Sequence, residues 1–476
     1  MCASGTTGVL SLSFIRACFC PARIRSSGVM VMRLHRLVRQ TVLLSGSHFI
    51  VRIMGFSLRV WLSRELGAQT MGLVELTHSA QSLLIAPVAS GLPAAVSRLS
   101  AQRGRSGSAH IALLGAGLSL LVSVPLASAA FLLRGPFARW LGDLRTLPAL
   151  LCILPCLPVL GLSCALNGYC YGTNRPAAPA LSELLEQTVR LLLCLYLVPL
   201  LRGWPTALRA AVPALSMLLG EAAGLLLMLL LLGVSLRRHR QSLRASLRGA
   251  RVEAGPVCTE LIALALPLTG MRLVSSLMHT VNAALIPARL QVSGLAAPEA
   301  LSRFGMMHGM LLPVLLMPSF ITGSISMVTA PELARRQAES KPMRHLIARV
   351  LGSTMAISLP AMTAVYLLAP LIANVLYRQA ELLPLLRVCC PLVPVMALAQ
   401  VSGGMMNGLG LQRHSLRISL ASNLLSLLLM VVLAARPSLR LWGAILGMAG
   451  GQLLTLLLNL CTLLLCVNPE RGCTAQ

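Results

Sequence analysis

Arg52 and Arg59 lie seven residues apart inside one long apolar run, and Arg272 occupies the equivalent place in a later one. A charge at the middle of an apolar helix costs about 2.5–3.5 kcal/mol on insertion scales, so such a residue is a candidate for function. Two helical turns separate Arg52 from Arg59, which puts them on one face. Guanidinium groups take phosphate oxygens in bidentate pairs. Three arginines lining a shared cavity would hold a pyrophosphate. The competing account is that they snorkel to the headgroups or pair with helix-end carbonyls.

The carboxylates form a second group. Glu75 shares a helical face with His78, Glu186 lies with Glu183 and Arg190, and Glu221 stands in a separate apolar run. Glu75, Glu186 and Glu221 are candidates for coupling to a proton or cation. Glu186 and Arg190 have i,i+4 spacing, which predicts an intrahelical ion pair. His279 and His308 have side chains that titrate near neutral pH, although a lone helix histidine is more often simply packed.

Catalytic groupings are missing from the sequence. There is no Gly-x-x-x-x-Gly-Lys-Ser/Thr loop for nucleotide phosphates, and Asp143, the one aspartate, lies outside the apolar runs. Neither ATP hydrolysis nor a paired-carboxylate active site is expected, and no cofactor is called for. The 14 cysteines are scattered, mostly within apolar runs, and Cys18-Phe19-Cys20 lacks histidines at zinc-ligand spacing. A transporter fits this inventory better than an enzyme.

The elements that must position these residues are membrane helices. The chain has 476 residues, 56% hydrophobic and 11% charged, against roughly 25% charged in a soluble domain. Runs near the 20-residue span length recur at roughly 41–63, 72–98, 110–133, 147–171, 180–201 and 212–234. They return at 258–288, 304–331, 345–371, 383–408, 415–435 and 441–466. About twelve transmembrane helices in an all-α membrane protein follow. Residues 1–40 form a basic N-terminal segment expected to be disordered, with Met30 and Met32 as alternative starts. A lobe at 41–234, a basic linker at 235–257, a second lobe at 258–466 and a tail at 467–476 complete the division.

The net charge of +27 is carried almost wholly by arginine, with Lys341 the one lysine. In a membrane protein this charge faces anionic lipid and sets orientation, and no nucleic-acid partner is implied. Clusters at Arg33/Arg36/Arg39, Arg98/Arg103/Arg105, the linker and Arg335/Arg336/Lys341/Arg344 place both termini in the cytoplasm. Prolines 87, 93, 267, 313, 318 and 360 predict kinks. Gly403, Gly404 and Gly408, with Gly443, Gly447 and Gly451, predict close helix approach.

A weak internal repeat pairs Ser45-Gly46 with Thr269-Gly270, Gly91–Val96 with Gly323–Val328, and Asn167-Gly168 with Asn407-Gly408. Six helices per half with the same topology describe a parallel pseudo-repeat.

The run Arg52-Ile53-Met54-Gly55-Phe56-Ser57-Leu58-Arg59, followed by Leu62-Ser63-Arg64-Glu65-Leu66-Gly67-Ala68, resembles the stage V sporulation protein B family. So, in order, do Gly91–Arg98, Glu186–Arg190, Ile286–Gln291 and Asn407–Gly410. That family belongs to the multidrug/oligosaccharidyl-lipid/polysaccharide exporter superfamily. The resemblance covers residues 41 to about 465. It implies two six-helix lobes around a central cavity that opens alternately to each side of a bacterial plasma membrane. It also implies a flippase for an undecaprenyl-pyrophosphate-linked glycan, with a role in spore cortex peptidoglycan and envelope-synthesis proteins as partners. The alternatives are a sodium- or proton-coupled multidrug exporter of the same superfamily and a non-transporting envelope-synthesis scaffold.

Overall fold

Leucine, alanine and methionine fill the apolar runs, and these residues lose little on entering a helix. In lipid every backbone group must be satisfied within the segment, which leaves the helix as the conformation for such a run. The computed structural model describes the backbone of residues 27–237, 240–339 and 341–467, and side chains at 46–103, 108–233, 255–339 and 341–465. Among the described residues the regular elements are all helical. Most of the basic N-terminal segment, the linker's Arg238 and His239, its side chains up to residue 254 and nearly all of the tail lie outside this description.

The first half contains α1 (Ser27–Ala89), α2 (Leu92–Gly107), α3 (Ala109–Leu132), α4 (Arg134–Trp140), α5 (Leu147–Gly172), α6 (Ala177–Leu200) and α7 (Thr206–Arg237). The second half opens with α8 (Arg240–Val292) and α9 (Ala297–Gly305), then a π-helical turn over Met306–Leu311, α10 (Leu312–Leu316) and α11 (Ser319–Ala338). It continues with α12 (Arg344–Leu371), α13 (Leu382–Cys389), α14 (Leu392–Gly408), α15 (Gln412–Leu433) and α16 (Leu441–Val467). The linker backbone from Arg240 onward is already helical and runs unbroken into the seventh span.

Among the described residues, length and composition mark eight stretches as long enough to cross a membrane, or ten when two bent pairs count as spans. The stretch beginning at Gly46 is two crossings. Gly67 takes φ 75° and ψ 167° inside α1. Arg59 and Glu75, each eight residues from Gly67, form an ion pair. A straight helix would hold them about 24 Å apart, so α1 is a hairpin. The twelfth crossing is α6, which packs along α7 and α1. Its charges Glu183, Glu186 and Arg190 hide it from a composition test. Twelve crossings agree with the sequence expectation.

Both halves repeat one packing scheme. In the first, α5 packs on α3, α7 and α2, and α6 lies along α7. In the second, α14 packs on α12, α16 and α11, and α15 lies along α16. Gly168 of α5 backs onto Pro93, and Gly408 of α14 backs onto Ala330. The glycine stripe expected to bring helices together does so at Gly447 against Met430 and at Gly451 against Ser426. Two breaks bend spans by 54°, one between α10 and α11 at Pro318 and one between α13 and α14.

The lobes meet most closely at the end carrying Gly67. Gly72 has no room for a side chain beside Leu301, Gly305 none beside Ala68, and Gly309 none beside Met71. The largest core cluster joins Leu73 and Leu76 of the first lobe to Phe304, Met307 and Met310 of the second. Toward the opposite end α8 still meets the first lobe, with Ala265 against Gly91 and Leu261 among Leu92 and Val96, but α1 and α11 stand apart. Phe49, Ile50 and Ile53 are exposed on α1, and Met327 and Val328 are about three-quarters exposed on α11.

Candidate functional site

Three features bring polar groups into the apolar helices. The first is a cavity of about 170 Å³ inside the first lobe, lined by Arg59, Glu75, His78, Gln81, Gln187 and Arg190 among others. The hairpin at Gly67 folds Glu75 back against Arg59, and the carboxylate is buried. Arg59 also donates from Nη2 to the His308 carbonyl across the lobe seam at 3.2 Å. One turn further, Ser63 Oγ donates to the Gly309 carbonyl at 3.4 Å. Both acceptors belong to the π-helical turn, a backbone irregularity that recurs at functional sites. The Nε atoms of Arg59 and Arg190 are buried without partners, so the cavity has spare donors.

Glu186 does not form the expected pair with Arg190. Both residues start on the face of α6 that packs on Gly220 of α7, but Arg190 extends into the cavity and makes no ion pair with Glu186. Helical spacing allowed the pair, but the cavity offers the guanidinium a polar space of its own. Glu221 is next to Glu186 on α7, away from Glu75, and Glu183 pairs with His48 at 2.9 Å. Of the three candidate coupling carboxylates, only Glu75 lines this cavity.

The second feature is the pair Arg52 and Arg272. Both are exposed, and neither has an ion-pair partner among the described residues. The Arg52 guanidinium lies 5.4 Å from the Phe320 ring centroid on α11, which puts it on the seam between lobes. On α8, Ala265 and Thr269 pack against Gly91 of the first lobe. Thr280 donates to the Ser79 carbonyl at 2.8 Å. Arg272 falls on this same stripe at helical spacing. It is exposed between these two contacts. Arg59, expected beside these two, is instead engaged with Glu75 and His308.

The third feature is a cavity of about 270 Å³ within the second lobe. Its polar lining is His279 and Asn282 of α8, His308 of the π-helical turn, Asn423 of α15, and Gln452 and Thr455 of α16. The two imidazoles stand edge to face, with centroids 6.2 Å apart. Sequence reasoning singled out the histidines but missed Asn282, Asn423 and Gln452. An amide inside an apolar span was the available signal.

Comparisons with known proteins fit this architecture. The family model described as polysaccharide biosynthesis protein matches residues 37–335. Stage V sporulation protein B of Bacillus subtilis (strain 168) is 26% identical over 440 residues, covering 89% of this chain and 83% of that protein. Sporulation protein YkvU of the same organism is 22% identical over 435 residues, covering 90% of this chain and 95% of that one. Among solved structures, a multidrug resistance MATE family transporter of the MOP superfamily in an inward-facing conformation superposes with a TM-score of 0.69 at 16% identity. The match covers 92% of this chain and 100% of that one. An outward-facing conformation gives 0.59 at 15% identity, covering 91% and 95%. The chain is thus a multi-pass membrane protein of the polysaccharide biosynthesis protein family, built on the two-lobed fold of the MOP superfamily transporters.

Proposed function

We propose that the chain is a flippase that moves a polyprenyl-pyrophosphate-linked glycan across the membrane by alternating access, in the setting of spore cortex peptidoglycan synthesis. One observation carries this reading. Arg52 and Arg272 are exposed on helices of opposite lobes that meet at the seam, inside spans, and among the described residues neither has a carboxylate partner. Unpaired guanidinium groups in a membrane cleft suit a doubly charged anionic group that enters and leaves. The lipid tail would remain in the bilayer while the headgroup passes between the lobes. Arg98, Arg103, Arg335 and Arg336 crowd the end opposite Gly67, so that end is cytoplasmic in this reading.

The test is translocation of a lipid-linked peptidoglycan precursor in proteoliposomes. Arg52→Ala or Arg272→Ala removes a charge-assisted contact of about 1.5–3 kcal/mol, expected to lower substrate affinity about tenfold to a hundredfold. Full transport by either variant at normal membrane levels overturns the role of that arginine. A multidrug exporter is the second reading, favoured by Glu75, which is buried in the first-lobe cavity as an ion-coupling carboxylate would be. Fluorescent-dye efflux that depends on Glu75 and runs without any glycan lipid would support it over the flippase.

A further inference from the structure

We propose that the second-lobe cavity binds the first sugar ring of the lipid-linked glycan, a neutral hydroxylated hexose or N-acetylhexosamine. This rests on the flippase reading and adds a specificity site to it. The argument begins with charge. The cavity lining contains amides, hydroxyls and imidazoles but no carboxylate and no guanidinium. A cation held there would have no counter-charge, and burial of an uncompensated charge is costly. A neutral polyol has no such penalty.

The hydrogen-bonding inventory fits the same ligand. Asn282, Asn423 and Gln452 each offer two donors and a carbonyl acceptor, Ser426 does both, and Thr455, whose hydroxyl donates to the Gly451 carbonyl, can still accept. Asn282 Oδ1 and His308 Nε2 are buried without a partner. Buried polar atoms are normally paired, so orphans beside a cavity point to a ligand that completes them. Met307, Met396 and Met430 supply an adaptable apolar wall. The cavity volume is close to the lower limit of small-molecule pockets, so one ring fits and a long chain does not.

Register joins this cavity to the arginines. Arg272 precedes His279 by seven residues on α8, about 10 Å along the axis and on the same face. On the eighth span Phe320, beneath Arg52, stands across the Pro318 bend from Leu316, Leu312 and His308. The last three line the cavity. Two helices thus present an anion-binding end and a neutral polar end in the same order. A sugar bonded directly to a pyrophosphate has this layout, charge first and hydroxyls next. The arginines would recognise any polyprenyl pyrophosphate, and the cavity would select those that carry a sugar.

The experiment compares two ligands on the purified full chain: undecaprenyl pyrophosphate, and the same carrier bearing one N-acetylhexosamine. The variants are Asn282→Leu and Gln452→Leu, with Thr455→Val as a gentler change, and thermal unfolding checks that each is folded. Wild type is expected to bind the sugar-bearing lipid about tenfold more tightly than the bare carrier, and the variants are expected to lose that difference. Binding of the bare carrier should change less than twofold. Equal binding of both lipids by wild type overturns the proposal, as does equal weakening of both by the variants. Sodium-dependent stabilisation lost in the same variants, with no discrimination between lipids, overturns it in favour of an ion site. If wild type binds neither lipid, the flippase reading itself fails, an outcome distinct from the others.

Discussion

Arg59 is held by both lobes at once. Its guanidinium pairs with the Glu75 carboxylate of its own lobe and donates to the His308 carbonyl of the other. Removing one member of a buried pair leaves the other charge without compensation, whereas replacing both by apolar groups is often harmless. Arg59→Ala should therefore destabilise the protein by about 3 kcal/mol, while Arg59→Leu with Glu75→Leu should recover most of that loss. Thermal unfolding in detergent checks it, and a double variant no more stable than Arg59→Ala would show that the pair is not a unit. The sequence marked Arg52, Arg59, Arg272 and Glu75 because a charge in an apolar span is conspicuous. It could not show that Arg59 meets Glu75, since that contact depends on the chain reversing at Gly67. Asn282 and Gln452 were passed over because a neutral amide disturbs an apolar run far less than a charge.

At the scale of elements, the twelve helices were legible because each crossing must supply its own apolar length. Their boundaries were legible because basic residues and turns gather between them. The breaks were less so. Prolines 267 and 360 lie within continuous helices, whereas the pronounced bends fall at Pro318 and between α13 and α14. Proline allows a bend, but packing decides which one is used. The π-helical turn at Met306–Leu311 left no mark in the sequence. The hairpin turn has a sharper signature, because Gly67 takes a backbone conformation that is almost confined to glycine. No atom lies within 4 Å of where a Gly67 Cβ would stand, so any penalty comes from the backbone alone. Gly67→Ala should cost about 1–3 kcal/mol. Gly46→Ala, also without a near neighbour but at an ordinary helical φ, should stabilise by up to about 1 kcal/mol. Equal unfolding temperatures for the two variants would refute the strain argument.

For the molecule as a whole, alternating access requires the seam between lobes to part at one end while it closes at the other. The Gly67 end is closed through glycine contacts and through carbonyl oxygens of the π-helical turn, while beyond it α8 stays packed on Gly91 and the Arg52 side, between α1 and α11, stands apart. The seam also holds at Thr280, whose hydroxyl donates to the Ser79 carbonyl at 2.8 Å. Both residues are fully buried, and they come from helices of opposite lobes. This side-chain to main-chain contact brings the two backbones near one another, and a disulfide there needs a Cα separation of about 4.4–6.8 Å. In a background stripped of its native cysteines, Ser79→Cys with Thr280→Cys should therefore cross-link on oxidation. If the lobes separate here during the cycle, oxidation should abolish translocation and a reductant should restore it. Each single cysteine should remain active and insensitive to oxidant. Undiminished translocation by fully cross-linked protein would mean that this part of the seam is a fixed hinge, with all the motion confined to the Gly67 end and the arginine cleft.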